Sequence, residues 1–385
     1  MKSIFWIVGE KSGDLHASKV IEKFKATVPH VQHVGIGGPL MQRQGLKTLF
    51  PFEKFSIMGF VEVLIHLPFI FKVEQAIKKY LKEHEPDLVI LVDYPGMNLR
   101  IAKIASDLHL RVLYYICPQF WAWKHHRVHK LKEYCDHVAC IFPFEKELLD
   151  MHGINSTYVG HPVTEEIKLD LDKDKFAKFF ELDANKKWIS FFPGSRNSEV
   201  EKMLPVYIET IKKLQKIKPD YQFLVSKSNT VSSQLFKKYL DTQQSVYTID
   251  GYNYEMMKHS DFMIVKSGTT TIEAASLGTP FAIVYKVNKL SYHIAKKVIR
   301  VKYIGLPNIV FDEPVLPELI QDDFNPDKII DTILSFMDSP EKYNQVCAKL
   351  STINALLGQQ SASNSVAEIM LNTLSQINDS TSKRN

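Results

Sequence analysis

Short runs of apolar residues alternate along the chain with longer stretches in which apolar residues recur every three or four positions. The early runs are "SIFWIVG" (Ser3–Gly9), "VQHVGIGG", "LVILVDYPGMN", "RVLYYICP" and "HVACIF". Each has the length of a strand, and most close on glycine, proline or aspartate. Between them, "HASKVIEKFKATV", "FKVEQAIKKYLKEHEPD" and "RIAKIASDLHL" carry helical spacing, the second ending near Pro86. Strands apolar on both faces, alternating with helices, predict a parallel sheet covered on both sides. The pattern changes near "VGHPV" (Val159–Val163), where a charged connector and helix follow. A second series then starts at "WISFFPGSR" and continues through "YQFLVSKS", "SVYTIDGY", "DFMIVKSG" and "PFAIVYKV". The expected architecture is α/β, with two Rossmann-like doubly wound domains, 1–165 and 166–342. A helical tail, 343–376, is expected to cross back onto the first domain, and the polar residues after Asp379 to fray.

One stretch departs from this alternation. "FSIMGFVEVLIHLPFIF" (Phe55–Phe71) has no lysine or arginine and is flanked by Lys54 and Lys72. Glu62, His66 and Pro68 interrupt it, and it is short of the ~20 apolar residues of a membrane span. A buried helix and a face that touches a membrane both remain open.

Composition narrows the class. The chain is 45% hydrophobic and 24% charged, which is a globular balance. "MKSIFWIVGE" lacks the parts of a signal peptide. A net charge of +5 does not imply nucleic acid, although Lys124–Lys132 and Lys286–Lys302 are local basic blocks. Each block is either a solvated face or an attractor of anionic lipid or phosphate. The four cysteines, Cys117, Cys135, Cys140 and Cys347, read as reduced thiols of a cytoplasmic protein. No metal site is expected from the histidines around Cys135 and Cys140.

Parallel sheets bind ligands at the carboxyl ends of their strands. Four strand ends carry suitable residues. The first is "GEKSGDLH" (Gly9–His16), where glycines permit close approach and Glu10 and Asp14 suit sugar hydroxyls or helix capping. The second is Asp93, after "LVILV", either a desolvated general base or a cap for "YPGMN". The third is "PGSRNSEVEK" (Pro193–Lys202), where Arg196 either grips a diphosphate or pairs with Glu199. The fourth is "VKSGTTTIEAASLGTP" (Val265–Pro280), whose hydroxyls and helix N-terminus form an anion site or simply cap the helix. Glu273, one turn into that helix, can accept both hydroxyls of a ribose. Together these features describe group transfer from a nucleotide-activated donor, with phosphate-binding turns in the second domain and carboxylates at a facing cleft in the first.

The motifs "GEKSGD", "IMGFVEVL", "VDYPGMN", "ICPQFWAW", "VGHPV", "PGSRNSEV", "SGTTTIEAA" and "LPNIV", in this order over nearly the whole chain, resemble the lipid A disaccharide synthase family of GT-B glycosyltransferases. The resemblance implies an inverting hexosyltransferase of lipid A biosynthesis. It would move 2,3-diacylglucosamine from UDP-2,3-diacylglucosamine to the 6-hydroxyl of 2,3-diacylglucosamine 1-phosphate. No metal, cofactor or nucleic acid is implied. The resemblance makes Asp93 the general base and Arg196 the diphosphate ligand. Ser267, Gly268, Thr269 and Thr270 would touch the diphosphate or sugar, Glu273 the ribose, and Asn308 the donor phosphates. Glu10, Ser12, Gly13 and Asp14 would line the cleft. Lys11 and His16 depart from the family pattern, as does "DYPGMN" in place of "DAPDFN", which still keeps Asp93 and Asn98. A homodimer is implied, its C-terminal helices either exchanged between subunits or folded back on their own chain, as is attachment to the cytoplasmic face of a Gram-negative inner membrane. The competing readings are a UDP-sugar epimerase, another glycosyltransferase of the same architecture, and a non-catalytic nucleotide-sugar sensor.

Acylated substrates give the greasy stretch a purpose. One face of Val61, Leu64 and Ile65 would pack inward, while Val63, Leu67 and Phe71 would contact membrane or acyl chains. Replacing Val63, Leu67 and Phe71 together by serine is expected to release the protein from membranes in a vesicle flotation assay. Undiminished flotation would return the stretch to the core.

Overall fold

The computed structural model describes residues 2–52, 55, 67–240, 246–288, 292 and 301–382. They form two compact units, Met1–Glu165 with Leu357–Asn385, and Glu166–Leu356.

The first unit is built on seven parallel strands: β1 (Ser3–Val8), β2 (Gln32–Ile36), β3 (Lys47–Thr48), β4 (Leu88–Val92), β5 (Val112–Tyr115), β6 (His137–Cys140) and β7 (Ser156–Tyr158). Their order is β3-β2-β1-β4-β5-β6-β7. From Ile4 to Val8 and from Leu88 to Val92 every residue is buried. Helices therefore cover both faces, as runs without a polar side require. Val8 lies opposite Val92 in the β1–β4 register. The chain runs from β1 outward to β2 and β3, then returns to β4 on the other side of β1. That reversal opens a crevice beyond the carboxyl ends of β1 and β4.

The second unit repeats the plan with β8 (Lys187–Phe192), β9 (Tyr221–Lys227), β10 (Val246–Asp250), β11 (Phe262–Lys266), β12 (Phe281–Tyr285) and β13 (Glu318–Ile320). The order β10-β9-β8-β11-β12-β13 puts its reversal between β8 and β11. Phe192 pairs with Val265, so the turns after these two strands emerge side by side.

The end of the greasy stretch begins the helix Leu67–His84. Ile70, Val73, Ile77 and Leu81 recur at three and four residues and are buried, while Phe71 is 58% exposed. Phe55 is core, with its ring 5.7 Å from that of Phe69. Val63 lies outside the described residues, as do Val61, Leu64 and Ile65. Leu67 opens the helix.

The tail departs from the expectation that it leaves the second domain at Tyr343. The helices Pro340–Leu350 and Ile353–Leu356 stay with the second unit, and only Leu357 onward belongs to the first. Leu350 and Ile353 are fully buried, and Asn354 Nδ2 donates to the Ser276 carbonyl at 3.0 Å. Apolar burial therefore decides where the chain crosses, and helical periodicity alone does not reveal it. Beyond the crossing, the helix Ala362–Ser382 seats Val366, Ala367 and Met370 in the core beside the helix Lys11–Thr27.

Glu165 secures that return. One carboxylate oxygen accepts the Ser363 N–H at 2.8 Å. The other accepts the hydroxyls of Ser361 at 2.9 Å and Ser363 at 2.6 Å. A carboxylate at a helix N-terminus satisfies donors that the helix leaves open. Glu165→Ala is expected to cost about 1.5–3 kcal/mol in chemical denaturation, the range for hydrogen bonds to a charged group. A loss below ~0.5 kcal/mol would show that the helix is held by packing alone.

Candidate active site

In the first unit the β1 and β4 ends meet. Asp93 and Tyr94 both adopt left-handed backbone, each with φ 46°. Two successive non-glycine residues in this region store strain, which the surroundings must hold. Tyr114 Oη and Asn98 Nδ2 each donate to the Asp93 carbonyl at 2.7 Å, and the Asp93 N–H donates to the Tyr115 carbonyl at 2.9 Å. Gly9 makes room for the turn: a Cβ there would lie 2.4–2.7 Å from the Tyr94 ring. The loop thus aims Asp93 from a fixed base.

Asp93 is half-buried as a residue, so solvent still reaches part of it. Burial of the carboxyl, followed by the nearby Glu10 charge, raises its pKa from 3.8 to about 7; the Tyr94 N–H, His16 and Arg127 oppose the rise. Asp93 therefore exchanges a proton near neutrality, as a general base requires. Arg127 was hidden in the sequence. It belongs to the basic block Lys124–Lys132, and nothing in that run tells which cation turns inward. In the structure Arg127 is 7% exposed, whereas Lys124, His125 and His126 are exposed.

The first-loop residues divide. Glu10 lies close enough to Asp93 to act on it, and Ser12 is partly exposed. Asp14 and Gly13 are corrections to the cleft-lining expectation. Asp14 is 3% exposed, and its two oxygens accept the N–H groups of Met41 and Leu40 at 3.1 and 3.0 Å. It caps the neighbouring helix Pro39–Arg43, with one N–H on each oxygen. Gly13 is buried, and a Cβ there would meet Val8 Cγ1 at 2.9 Å, so close packing accounts for the glycine. Of the two departures from the family pattern, Lys11 is exposed and His16 is buried. In "VGHPV", His161 is buried and its pKa falls to about 3, first through burial and then through His16. Its Nδ1 accepts the Val163 N–H at 3.2 Å, so this imidazole is a neutral structural group.

In the second unit the β8 and β11 turns meet through Glu199. Glu199 Oε2 accepts the Ser195 N–H at 3.2 Å, and Oε1 holds Lys266 Nζ at 2.9 Å. Gly194, at φ 108°, lets the carboxylate in; a Cβ there would stand 2.5 Å from Oε2. Arg196 Nη1 is 3.9 Å from Glu199 Oε1, farther than Lys266 Nζ, and the Arg196 side chain is 51% exposed. Glu199 thus pairs with both cations, Lys266 more closely, so the salt bridge expected between Arg196 and Glu199 is present at long range. Neither the Glu199 hub nor Lys266 was legible as such in the sequence.

Ser267, Gly268 and Thr269 form the turn from β11 into the helix Thr270–Leu277. Gly268 has φ 154°, and Thr269 is exposed. Thr269 makes no side-chain capping bond, so capping does not explain its hydroxyl. Ser267 Oγ donates to the Ile304 carbonyl at 3.1 Å. Glu273 is partly exposed and acts electrostatically on Tyr254. Asn308 is a correction. It is fully buried, and its Nδ2 donates to the Leu316 carbonyl at 2.8 Å and to Glu318 Oε1 at 2.9 Å. Its Oδ1 accepts the Leu316 N–H at 2.9 Å. Glu318 also accepts the N–H groups of Ile304 and Gly305. Asn308 therefore shapes the loop that anchors Ser267, and its amide is already spent on protein.

Among the described residues no group of three or more His, Cys, Asp or Glu is placed to hold a metal. Among them, also, no helix is long and apolar enough to cross a membrane.

A family model described as lipid-A-disaccharide synthetase matches residues 4–372. The lipid-A-disaccharide synthase of Trichlorobacter lovleyi is 36% identical over 97% of this chain and 98% of its own. That of Nitrosococcus oceani is 37% identical over 94% of each chain. Among solved structures, the UDP-GlcNAc 2-epimerase of Neisseria meningitidis bound to UDP-GlcNAc superposes with a TM-score of 0.65 at 14% identity, covering 97% of this chain and 100% of that one. A glycotransferase of kitacinnamycin gives 0.64 at 12% identity, covering 96% and 98%. At such identities the structural likeness speaks for the two-domain GT-B fold.

Asp93→Asn is expected to lower turnover at least ~100-fold, the lower end of general-base effects. In the parent protein kcat/KM should rise with pH along a limb near 7. Stability runs the other way: between the unfolded value near 3.8 and about 7, the folded state holds a proton that the unfolded state has lost. Stability therefore falls as pH rises through that window. Asparagine stays neutral and tolerates left-handed backbone, so Asp93→Asn should unfold no earlier than the parent at alkaline pH. Near-normal turnover in the variant would remove Asp93 from the chemistry.

Proposed function

The chain belongs to the lipid-A-disaccharide synthase family, and on that premise we propose that it is an inverting glycosyltransferase acting on acylated glucosamines. The donor is UDP-2,3-diacylglucosamine and the acceptor is 2,3-diacylglucosamine 1-phosphate. The products are the β-1′,6-linked disaccharide 1-phosphate and UDP. The observation that carries the reading is Asp93: a carboxyl at a strand-order reversal, held by a strained loop, with its pKa near 7.

The acceptor 6-hydroxyl gives its proton to Asp93. Its oxygen bonds to the donor C1 on the face opposite UDP, while the C1–O bond breaks and its electron pair leaves with the diphosphate. One displacement inverts the α-linked donor to a β product, and one base suffices. Arg196 and the N–H groups of Gly268, Thr269 and Thr270 stabilise the departing diphosphate. Glu273 accepts the ribose hydroxyls. Ser267, Gly268, Thr269 and Thr270 border the diphosphate and donor sugar, and Asn308 serves them indirectly through the Ile304 loop. The first unit is thus the acceptor domain and the second the donor domain.

The same proposal puts the protein at the cytoplasmic face of the inner membrane of a Gram-negative bacterium. Both sugars carry acyl chains, and Phe71 is exposed at the start of the helix Leu67–His84, beside Lys72. It includes a homodimer, as the family resemblance implies.

Pure protein incubated with both substrates should yield disaccharide 1-phosphate and UDP, read by mass spectrometry. Arg196→Ala should weaken UDP binding by ~10-fold or more in calorimetry, as loss of a charge-assisted contact predicts. Absence of disaccharide would overturn the reaction, and unchanged UDP affinity would overturn the role of Arg196.

A further inference from the structure

A pair of cations lies beside the Asp93 loop, and the base chemistry does not use them. Arg127 opens the helix Arg127–Tyr134 and is 7% exposed. Its guanidinium carbon lies 4.8 Å from the centre of the Trp123 ring, and Lys124 Nζ lies 4.5 Å from the same ring. Trp123 itself is 37% exposed. One indole thus carries two cations at the edge of the surface, and the left-handed backbone of Lys124, φ 52°, helps bring them together. Among the described residues neither cation forms an ion pair with a carboxylate.

This arrangement costs energy as it stands. Arg127 acts on Lys124 as a like charge, and burial is the largest influence on both. Arg127 is shut away from water without an ion pair among the described residues, which is unfavourable, and an anion bound there relieves both its burial and its repulsion with Lys124. Tuning of Asp93 does not account for the cluster, because Arg127 is the last and smallest of the influences on that carboxyl. Structural pairing does not account for it either, since among the described residues the Trp123 indole is the side-chain partner that the two cations share. A guanidinium with an ammonium beside it matches the oxygens of a phosphate monoester.

We propose that Arg127 and Lys124, carried on Trp123, form the subsite for the phosphate monoester of the acceptor. The inference rests on the transferase reading above and extends it to acceptor choice. Asp93 receives the 6-hydroxyl, and the 1-phosphate sits at the other end of the same hexose. Arg127 is near enough to Asp93 to feel its charge, so both sit in the same part of the first unit. The subsite makes an anionic acceptor preferred over a neutral one.

The test compares kcat/KM for 2,3-diacylglucosamine 1-phosphate with that for the dephosphorylated sugar. Arg127→Gln should reduce the ratio of the two by ~10-fold or more, and Lys124→Gln by less, in keeping with lost charge-assisted hydrogen bonds. An unchanged ratio in Arg127→Gln overturns the proposal. If the parent protein makes no disaccharide from either sugar, the transferase reading fails, and calorimetry with the sugar 1-phosphate decides the subsite alone. Binding weakened ~10-fold in the variant supports it, and equal binding overturns it. Vesicles rich in phosphatidylglycerol separate out a lipid headgroup. Lost vesicle binding with an unchanged acceptor ratio assigns the cations to the bilayer and overturns the proposal. Should Arg127→Gln not fold, the exposed Lys124→Gln decides by the same ratio, a fall supporting the subsite and no change overturning it.

Discussion

The parallel pairing of β1 with β4 is the constraint on which the first unit's chemistry depends. Val8 opposite Val92 fixes the two strand ends at one level. Glu10 and Asp93 then share a crevice, and the charge of one makes ionisation of the other harder. A slip in this register would separate the carboxyls and misalign Gly9 with Tyr94. The close approach at Gly9 and the carbonyl contacts from Tyr114 and Asn98 keep the strained Asp93–Tyr94 turn in place. Pairing of two apolar strands thus becomes a carboxyl that titrates near neutrality.

The second unit uses the same reversal for a different task. Its strand-end turns are joined by Glu199, which binds the Ser195 backbone and Lys266 together. Farther along, Asn308 and Glu318 tie down the loop that meets Ser267. Asn308 is fully buried and Glu199 and Glu318 partly so, and each is bonded to protein. They give the turns after β8 and β11 a fixed shape, leaving Thr269 and much of Arg196 at the surface.

A carboxylate after a strand has no single meaning. Asp93 stays open on one side and has an elevated pKa. Asp14 is sealed by two backbone N–H groups and caps a neighbouring helix. Both belong to polar motifs at the ends of parallel strands, so residue type and position could not separate them. Packing did: Gly38 leaves space for the Asp14 carboxyl, with a Cβ there only 2.4 Å from Oδ2.

The alternation of apolar runs and helical periods by itself determined two doubly wound units, because strands greasy on both faces require helices on both sides. The positions of Asp93, Arg196 and the Ser267–Thr270 turn followed from the same pattern, since ligand-binding residues gather where such strands end. Tertiary structure alone decided strand order, and with it which strand ends become neighbours. It kept the helices through Leu356 with the second unit, because Leu350 and Ile353 find their apolar partners there. It also chose Arg127 from a run of similar cations and turned Asp14 and Asn308 inward. Those outcomes depend on contacts between residues far apart in the chain, which local periodicity does not encode.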